Sequence, residues 1–465
     1  MGRLWAHGLW ARLVLVGIGV LLLRVDPVPE ALRGLEVEQA RGAALAARYE
    51  AAYAYQPWHD GHLVRLAGAR LDAADYAGAL DALQRLAAVR PLTPQEIAWQ
   101  GRAYAGLGSI DQAVASWETA WAAGSLDPAS LRELAAIYER DGQFELAAAA
   151  LESLLEQGGP SAEAAYRLGV LRALDDPAGA AGALALARTP GSGYEIPAQR
   201  LLDALQGPAA SPEVMAGRTG VALLAIGELE QAARALERAL DYNPAYAEAL
   251  AYLAYVRERQ GIPSLGAAEQ AAALAGDNPL VHYLAGLVWN LRARPVEARQ
   301  HFTQAALLDP TNPAFLVELA GTYRAEGSPE RAELWMQQAA ALAPDDPRFQ
   351  ILLVQFYVDE GYRIEEVGLP LAEALVERYP ENAEAYDALG WAQLLLGRTG
   401  EAAMALDRAL TLNPRLARAH YHQGRLLEAQ GLPDAALAHY RLAVQAEPGS
   451  VFATLSQRAI DRLGG

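Results

Sequence analysis

Ala405–Pro414 reads ALDRALTLNP and Leu437–Pro448 reads LAHYRLAVQAEP. Both stretches place apolar residues at helical spacing, and both stop at a proline, which cannot continue a helix. Those two prolines are 34 residues apart. The separation recurs upstream: 34 from Pro380 to Pro414, 36 from Pro344 to Pro380, 34 from Pro310 to Pro344, and 66, close to two periods, from Pro244 to Pro310. A fixed period of this length is the signature of a repeat architecture.

The interior of the period carries a second regularity. The unit from Ala383 has Tyr386, Leu389, Gly390, Gln393, Gly397, Ala402, Leu406, Ala409 and Pro414; the unit ending at Pro344 has Leu316, Leu319, Ala320, Tyr323, Gly327, Ala332, Met336 and Ala339 in the same places. This resembles the tetratricopeptide repeat, which has large residues at positions 4, 7, 11 and 24, small ones at 8, 20 and 27, glycine near 15 and proline at 32. Gln393, at position 11, is the one departure in the Ala383 unit. The same frame returns in Gly101, Tyr104, Gly108, Ala113, Trp117 and Ala120, in Leu134, Ala135, Tyr138, Gly142, Ala147 and Leu151, in Gly220, Gly227, Ala232, Leu236 and Ala239, and in Gly286, Ala298, Phe302 and Ala305. Ten or eleven units fit between about residue 60 and residue 448, more than four-fifths of the chain.

The spacing has a physical basis. The large residues fall on the facing sides of two helices, the small ones let the backbones approach, glycine near 15 accepts the positive φ that ends the first helix, and proline ends the second. A single hairpin buries too little surface to stand alone, so neighbours must stack. The resemblance implies an all-α fold: an α-solenoid of helix-turn-helix hairpins forming a right-handed superhelix.

Composition agrees with a folded, mostly soluble body: 465 residues, 52% hydrophobic, 20% charged, mean hydropathy +0.03. A formal charge of −18 repels a phosphate backbone, which argues against nucleic acid as a partner. All 38 basic residues are arginine. With abundant Ala, Gly and Pro, this reads as high-GC codon usage. Cysteine is absent, which removes disulfides, thiolate metal sites and thiol nucleophiles.

Leu13–Leu23 (LVLVGIGVLLL) is an apolar run preceded by Arg3 and Arg12 and followed by Arg24, Asp26, Pro27 and Pro29. Extended back to Leu4 it is long enough to span a bilayer, and no small-residue cleavage site follows it. The expectation is an uncleaved hydrophobic anchor helix over residues 1–30. Arg3 and Arg12 place the N-terminus in the cytoplasm and the repeats outside it; an exported soluble protein is the alternative.

The remaining organisation is expected as an amino-terminal sub-array over 31–190, a junction over 191–212 rich in Gly, Pro and Ser, a carboxy-terminal sub-array over 213–448, and a capping helix over 449–465 with Arg458, Asp461 and Arg462 on its polar back. Leu32–Gln56 reads as a degenerate first repeat.

Sequence motifs for chemistry are lacking. A chain without lysine has no Walker loop, and neither G-x-S-x-G nor H-E-x-x-H occurs. His59 with His62 and His420 with His422 are the close histidine pairs, read as structural or surface residues, and carboxylates such as Glu230, Glu237 and Glu401 as a solvated face. No catalytic, cofactor or metal site is expected, and no small-molecule substrate.

The resemblance further implies a concave surface lined by the first helix of each hairpin. Carried onto this sequence, the lining residues are Asp387 and Trp391, then Arg418, Tyr421 and Arg425, with Tyr255, Tyr283 and Asn290 earlier. They either line a groove or pack between neighbouring first helices. The lysine–asparagine clamp that chaperone-binding members use for a terminal carboxylate is not expected without lysine; Arg418 and Arg425 replace it only in part. The expected function is a protein–protein interaction scaffold or adaptor of the cell envelope, binding partner peptides or proteins in the groove. The alternative is an accessory subunit of a polysaccharide, glycosyl-transfer or secretion system, binding glycan or presenting an enzyme.

Overall fold

The computed structural model describes residues 43–158 and 161–464. Among these residues are 25 α-helices and one π-helical turn, with no strand. The expected anchor over residues 1–30 lies outside the described residues. No helix among the described ones is long and apolar enough to cross a membrane.

The chain divides into two compact units at Pro208. The first contains four hairpins: Gly61–Asp72 with Tyr76–Ala87, Pro94–Gly106 with Ile110–Ala122, Pro128–Arg140 with Phe144–Gly158, and Ala162–Arg172 with Pro177–Ala187. Helix Ala43–Tyr55 packs on the first of these and Glu195–Leu205 on the last. The second unit contains seven: Pro212–Ala225 with Leu229–Tyr242, Ala247–Arg259 with Leu265–Leu274, Pro279–Leu291 with Pro295–Leu308, Pro313–Ala325 with Pro329–Leu342, Pro347–Asp359 with Leu369–Arg378, Ala383–Leu395 with Thr399–Leu412, and Ala417–Ala429 with Pro433–Ala446. Helix Val451–Leu463 closes the second unit, capped by Ser450, whose hydroxyl accepts from the Ala453 amide. Its Arg458, Asp461 and Arg462 are exposed while Ala453, Ser456, Ala459 and Ile460 are buried.

Local chemistry starts and stops each helix. Asn278, Asn312, Asp346 and Asn382 precede first helices, and each side chain accepts a hydrogen bond from a backbone N–H of the first turn. Three of them are followed by proline at the first helical position, where no N–H is needed. Gly397 turns out of its helix at φ +76°. Ala293 occupies the same place in the repeat that begins at Pro279, and is held at φ +56°. That conformation costs an L-residue about 1–2 kcal/mol. Ala293→Gly is therefore expected to stabilise the protein by about 0.5–1 kcal/mol, after allowing for the greater freedom of glycine in the unfolded chain. A higher urea midpoint at unchanged slope checks it.

In six of the hairpins a glycine on the first helix, Gly101, Gly169, Gly220, Gly286, Gly390 or Gly424, is pressed against a large side chain on the second; Ala135 and Ala320 take that place in two others. Gly101 faces Trp117 so closely that a Cβ there would overlap the indole, and Trp117 has no exposed surface. The repeat from Pro347 exceeds the common period by two residues. Its connection is correspondingly different: Arg363 takes φ +49°, and Ile364–Gly368 forms a π-helical turn leading into Leu369–Arg378. This segment is tied to the preceding hairpin by Glu333, a carboxylate only 8% exposed that accepts from Tyr357 Oη at 2.7 Å, Tyr362 Oη at 3.3 Å and Arg363 Nη1 at 2.7 Å. Not every carboxylate is therefore solvated. Glu230, Glu237 and Glu401 are exposed as expected, but Glu333 and Asp387 are interior.

Candidate partner-binding site

In the second unit, first helices of successive hairpins touch one another: Ala247–Arg259 meets Pro279–Leu291, Pro347–Asp359 meets Ala383–Leu395, which meets Ala417–Ala429, which meets Val451–Leu463. Residues three and four apart on each helix share a face, so this row brings candidate residues from different repeats together. Trp391, Asp387, Arg418, Tyr421 and Arg425 form one network.

Arg418 is its hub. Its Nη2 donates to Asp359 Oδ1 at 3.1 Å, and its Nε stands 3.1 Å from Asp387 Oδ2, a contact of charge in which the N–H is not aimed at the oxygen. The guanidinium also lies over the Phe452 ring, 5.1 Å from its centre. One side chain thus engages four successive helices of the row. Asp387 is fully buried, and its other oxygen accepts a hydrogen bond from His422 Nδ1 at 2.7 Å. An ionised carboxylate can only accept, so Nδ1 of His422 carries the proton. The His422 ring stacks on Trp391, centroids 4.3 Å apart and planes within 8°, and Phe452 meets it edge-on at 5.7 Å.

The solvent side of the network is made by Trp391, half-buried, and Arg425, whose side chain is 43% exposed. Arg425 Nη1 donates to Tyr421 Oη at 3.1 Å, and its guanidinium is 6.0 Å from the Trp391 ring centre. Tyr421 itself is 9% exposed and packs on Tyr440 and Phe452. Of the two arginines considered as a carboxylate clamp, Arg418 is already paired twice with the chain's own carboxylates. Arg425 faces outward, with its Nε 3.8 Å from Glu428 Oε2.

The earlier candidates lie elsewhere on the row. Tyr283 is half-buried between Phe302 and Phe315, 6.0 and 5.3 Å away, and Tyr255, like Tyr252, packs against the buried cluster of Ala247, Ala251, Ala271, Val281 and Leu284. Asn290 is exposed and joins neither group. Burial raises the Tyr283 hydroxyl to about 12, reinforced by the charge of Glu318 and by Tyr255 and Tyr252. Burial also raises the Glu318 carboxyl above its ordinary value. The sign follows directly: an acid whose folded pKa lies above its unfolded one destabilises the fold at pH values above both, and the cost disappears below the unfolded value. Glu318→Gln is expected to raise the melting temperature at pH 7 and to leave it unchanged near pH 3. A thermal melt series across that range checks it.

Asp359, Phe452 and Glu318 are not marked by the sequence, and His422 is marked there only as a structural or surface residue. Two of them obey a rule that the repeat frame contains. Glu318 and His422 both occupy position 6 of their repeats, and each faces position 5 of the repeat before, Tyr283 and Asp387 respectively. His420 and His422, two residues apart, do point to different sides: His420 meets His439 on its own second helix, while His422 meets the neighbouring repeat.

Stacked helical hairpins with a continuous row of first helices define an α-solenoid interaction protein. Models of the tetratricopeptide repeat match residues 100–162, 218–280, 291–356, 366–415 and 396–451, together more than half of the sequence, and the chain belongs to the tetratricopeptide repeat family. Its members are generally non-catalytic scaffolds that mediate protein–protein interactions. No curated protein matches the sequence. Among solved structures, yeast Tom70 aligns over 80% of this chain and 95% of its own at 14% identity and a TM-score of 0.44. A tetratricopeptide repeat protein from Parabacteroides merdae aligns over 54% and 99% at 14% identity and 0.45. A thermophilic one from Thermus thermophilus aligns over 39% and 99% at 24% identity and 0.34.

Proposed function

We propose that this chain is a membrane-anchored scaffold of the cell envelope that takes an extended polypeptide along the first helices of residues 383–463. The observation that carries the reading is the Arg418 network. It fixes four helices of the row in place and turns the Trp391 ring and the Arg425 guanidinium toward solvent. Rigid aromatic and arginine anchors on a braced surface are the residues that dominate peptide recognition, because little side-chain freedom is lost when they bind. The exposed cation favours a partner segment bearing a carboxylate.

The test compares recovery of envelope proteins on the full chain with recovery on the Trp391→Ala/Arg425→Ala variant. Both positions reach solvent, so helical content measured by circular dichroism should be unchanged. The expected result is at least a tenfold loss of the specific partner; equal recovery contradicts the reading. Placement of the repeats outside the cytoplasm rests on the apolar run and its flanking arginines. Because the chain has no cysteine, one introduced at the exposed Met404 reports the compartment cleanly. Labelling of intact cells by an impermeant maleimide supports the placement, and labelling only after lysis contradicts it.

A second reading draws on Tyr252, Tyr255 and Tyr283, which form an aromatic row on neighbouring first helices. Such a row suits sugar rings, as in an accessory subunit of a polysaccharide or secretion system. Saturable glycan binding lost in Tyr255→Ala would favour it over the peptide.

A further inference from the structure

The repeat that begins at Pro279 holds a pair of histidines in its own hairpin. His282 is on the first helix and His301 on the second, and their Nδ1 atoms face each other at 3.3 Å. The outer nitrogens are both committed. Nε2 of His282 is 3.0 Å from the carbonyl oxygen of Gly276, and Nε2 of His301 is 3.1 Å from Glu269 Oε1. Glu269 is held in turn by the Trp289 indole N–H at 2.6 Å.

A carbonyl oxygen and an ionised carboxylate only accept, so each Nε2 must carry a hydrogen. In neutral imidazoles that leaves a bare lone pair on each Nδ1, and the two point at one another. Such an arrangement repels unless a cation sits in the gap. The separation helps to say which cation. It lies beyond the usual range for an N–H donor, about 2.7–3.2 Å. It coincides with the spacing of two imidazole nitrogens on one tetrahedral ion, about 3.3–3.4 Å when each bond is about 2.0–2.1 Å. An outer carboxylate or carbonyl on the far nitrogen is also what orients histidines that bind metal.

His420 and His439 occupy the same two positions of the repeat that begins at Ala417, and form the natural comparison. Their Nδ1 atoms are 3.1 Å apart and Nε2 of His420 meets the Pro414 carbonyl at 3.0 Å, but His439 has no carboxylate hydrogen-bonded to its outer nitrogen among the described residues. A neutral His439 can put its single hydrogen on Nδ1 and donate it to His420, which satisfies the pair. Burial, with the neighbouring His420, lowers the His439 pKa against the opposing pull of the Asp407 charge, and the lowered pKa favours the neutral ring. The two pairs share a frame down to the carboxylate 32 residues before the second ring, Glu269 and Asp407, and differ in what it contacts: Glu269 meets His301 Nε2 at 3.1 Å, whereas Asp407, whose charge acts on His439, accepts from Gln423 Nε2 at 3.3 Å and is not hydrogen-bonded to His439 among the described residues.

We infer that His282 and His301 bind a divalent transition-metal ion of the zinc class between their Nδ1 atoms, with Glu269 as the anchor behind His301. No group of three or more histidines and carboxylates among the described residues forms a closed cage. The ion therefore keeps open positions for water or for a side chain of a bound partner. Access is available, since the His301 and Glu269 side chains are 15% and 46% exposed.

The experiment is a zinc titration of the full chain, purified without a histidine tag, against a competing chromogenic chelator and by calorimetry. Wild-type protein should bind one more equivalent of Zn2+ than either His301→Gln or His282→Gln, and His420→Gln should match wild type. Glu269→Gln, a change at a half-exposed residue that leaves both ligands in place, should weaken the site by about 10–100-fold. It keeps the test decisive if a histidine variant folds poorly. Equal zinc uptake by wild type and both histidine variants, or a Glu269→Gln protein that binds like wild type, overturns the inference. So does a wild-type protein that takes up no zinc; the gap then holds a shared proton alone.

Discussion

Trp117→Ala is expected to destabilise the first unit by about 3–5 kcal/mol, the largest effect of any single core truncation in it. Trp117 is fully buried and sits in one continuous cluster with Ala98, Leu131, Leu134, Leu151 and Leu168, which spans three successive hairpins and the two interfaces between them. Because stability in a stacked array is close to a sum of repeat and interface contributions, the loss should spread to the neighbouring hairpins. Amide exchange should accelerate from 94 to 158 and remain as in wild type in the second unit. Two companion variants sharpen the expectation. The indole N–H of Trp117 is buried without a hydrogen-bond acceptor, so Trp117→Phe sheds an unsatisfied donor along with some volume and should cost much less than Trp117→Ala. Gly101→Ala should cost about 1–3 kcal/mol through overpacking, yet become neutral or favourable once Trp117 is alanine, because the added methyl then fills part of the cavity. Additive effects of the two changes would show that the two helices do not meet through this contact.

Asp387→Ala is the counterpart in the second unit, with an expected cost of about 3–5 kcal/mol. The burial of this carboxylate is tolerable only because Arg418 and His422 neutralise and bond it. Its removal leaves Arg418 with Asp359 alone and the His422 Nδ1–H without an acceptor. Asp387→Asn keeps an acceptor for His422 and loses only the charge, so it should fall between wild type and alanine. Faster amide exchange across Ala383–Ala429, measured on the full chain, checks the order. Wild-type protection in the alanine variant would mean that the buried network contributes nothing to stacking.

These two residues also mark the limit of what the sequence reveals. The recurring features of a hairpin are legible in it: the small residue against the large one of the second helix, the glycine with positive φ after the first, the proline after the second. Those features recur because each repeat solves the same packing problem alone. The period of 36 between Pro344 and Pro380 announces an irregular repeat but not its form, since a count of residues does not say where a π-helical turn falls. Contacts between repeats are harder still. Asp387 reads as a groove residue by its position, yet it is wholly buried, because the arginine and histidine that cover it stand 31 and 35 residues away on another helix. Asp359 reaches Arg418 across 59 residues, a separation no helical periodicity encodes. The position 6 to position 5 contact between adjacent repeats was available in principle, had the units been compared as neighbours in space. Of the candidate groove residues, Trp391 and Arg425 reach solvent, and Tyr283 stands half-buried beside Glu318.

The most direct test of a row of first helices that receives a polypeptide is a photo-cross-linking scan in living cells. A cross-linking residue is placed in turn at Tyr255, Trp391 and Arg425 on first helices and at Leu307, Leu334 and Met404, exposed residues of second helices. One adduct of constant mass from the first-helix positions, weak or missing at the second-helix positions, is the predicted result. The same adduct arising chiefly at Leu307, Leu334 and Met404 would contradict it.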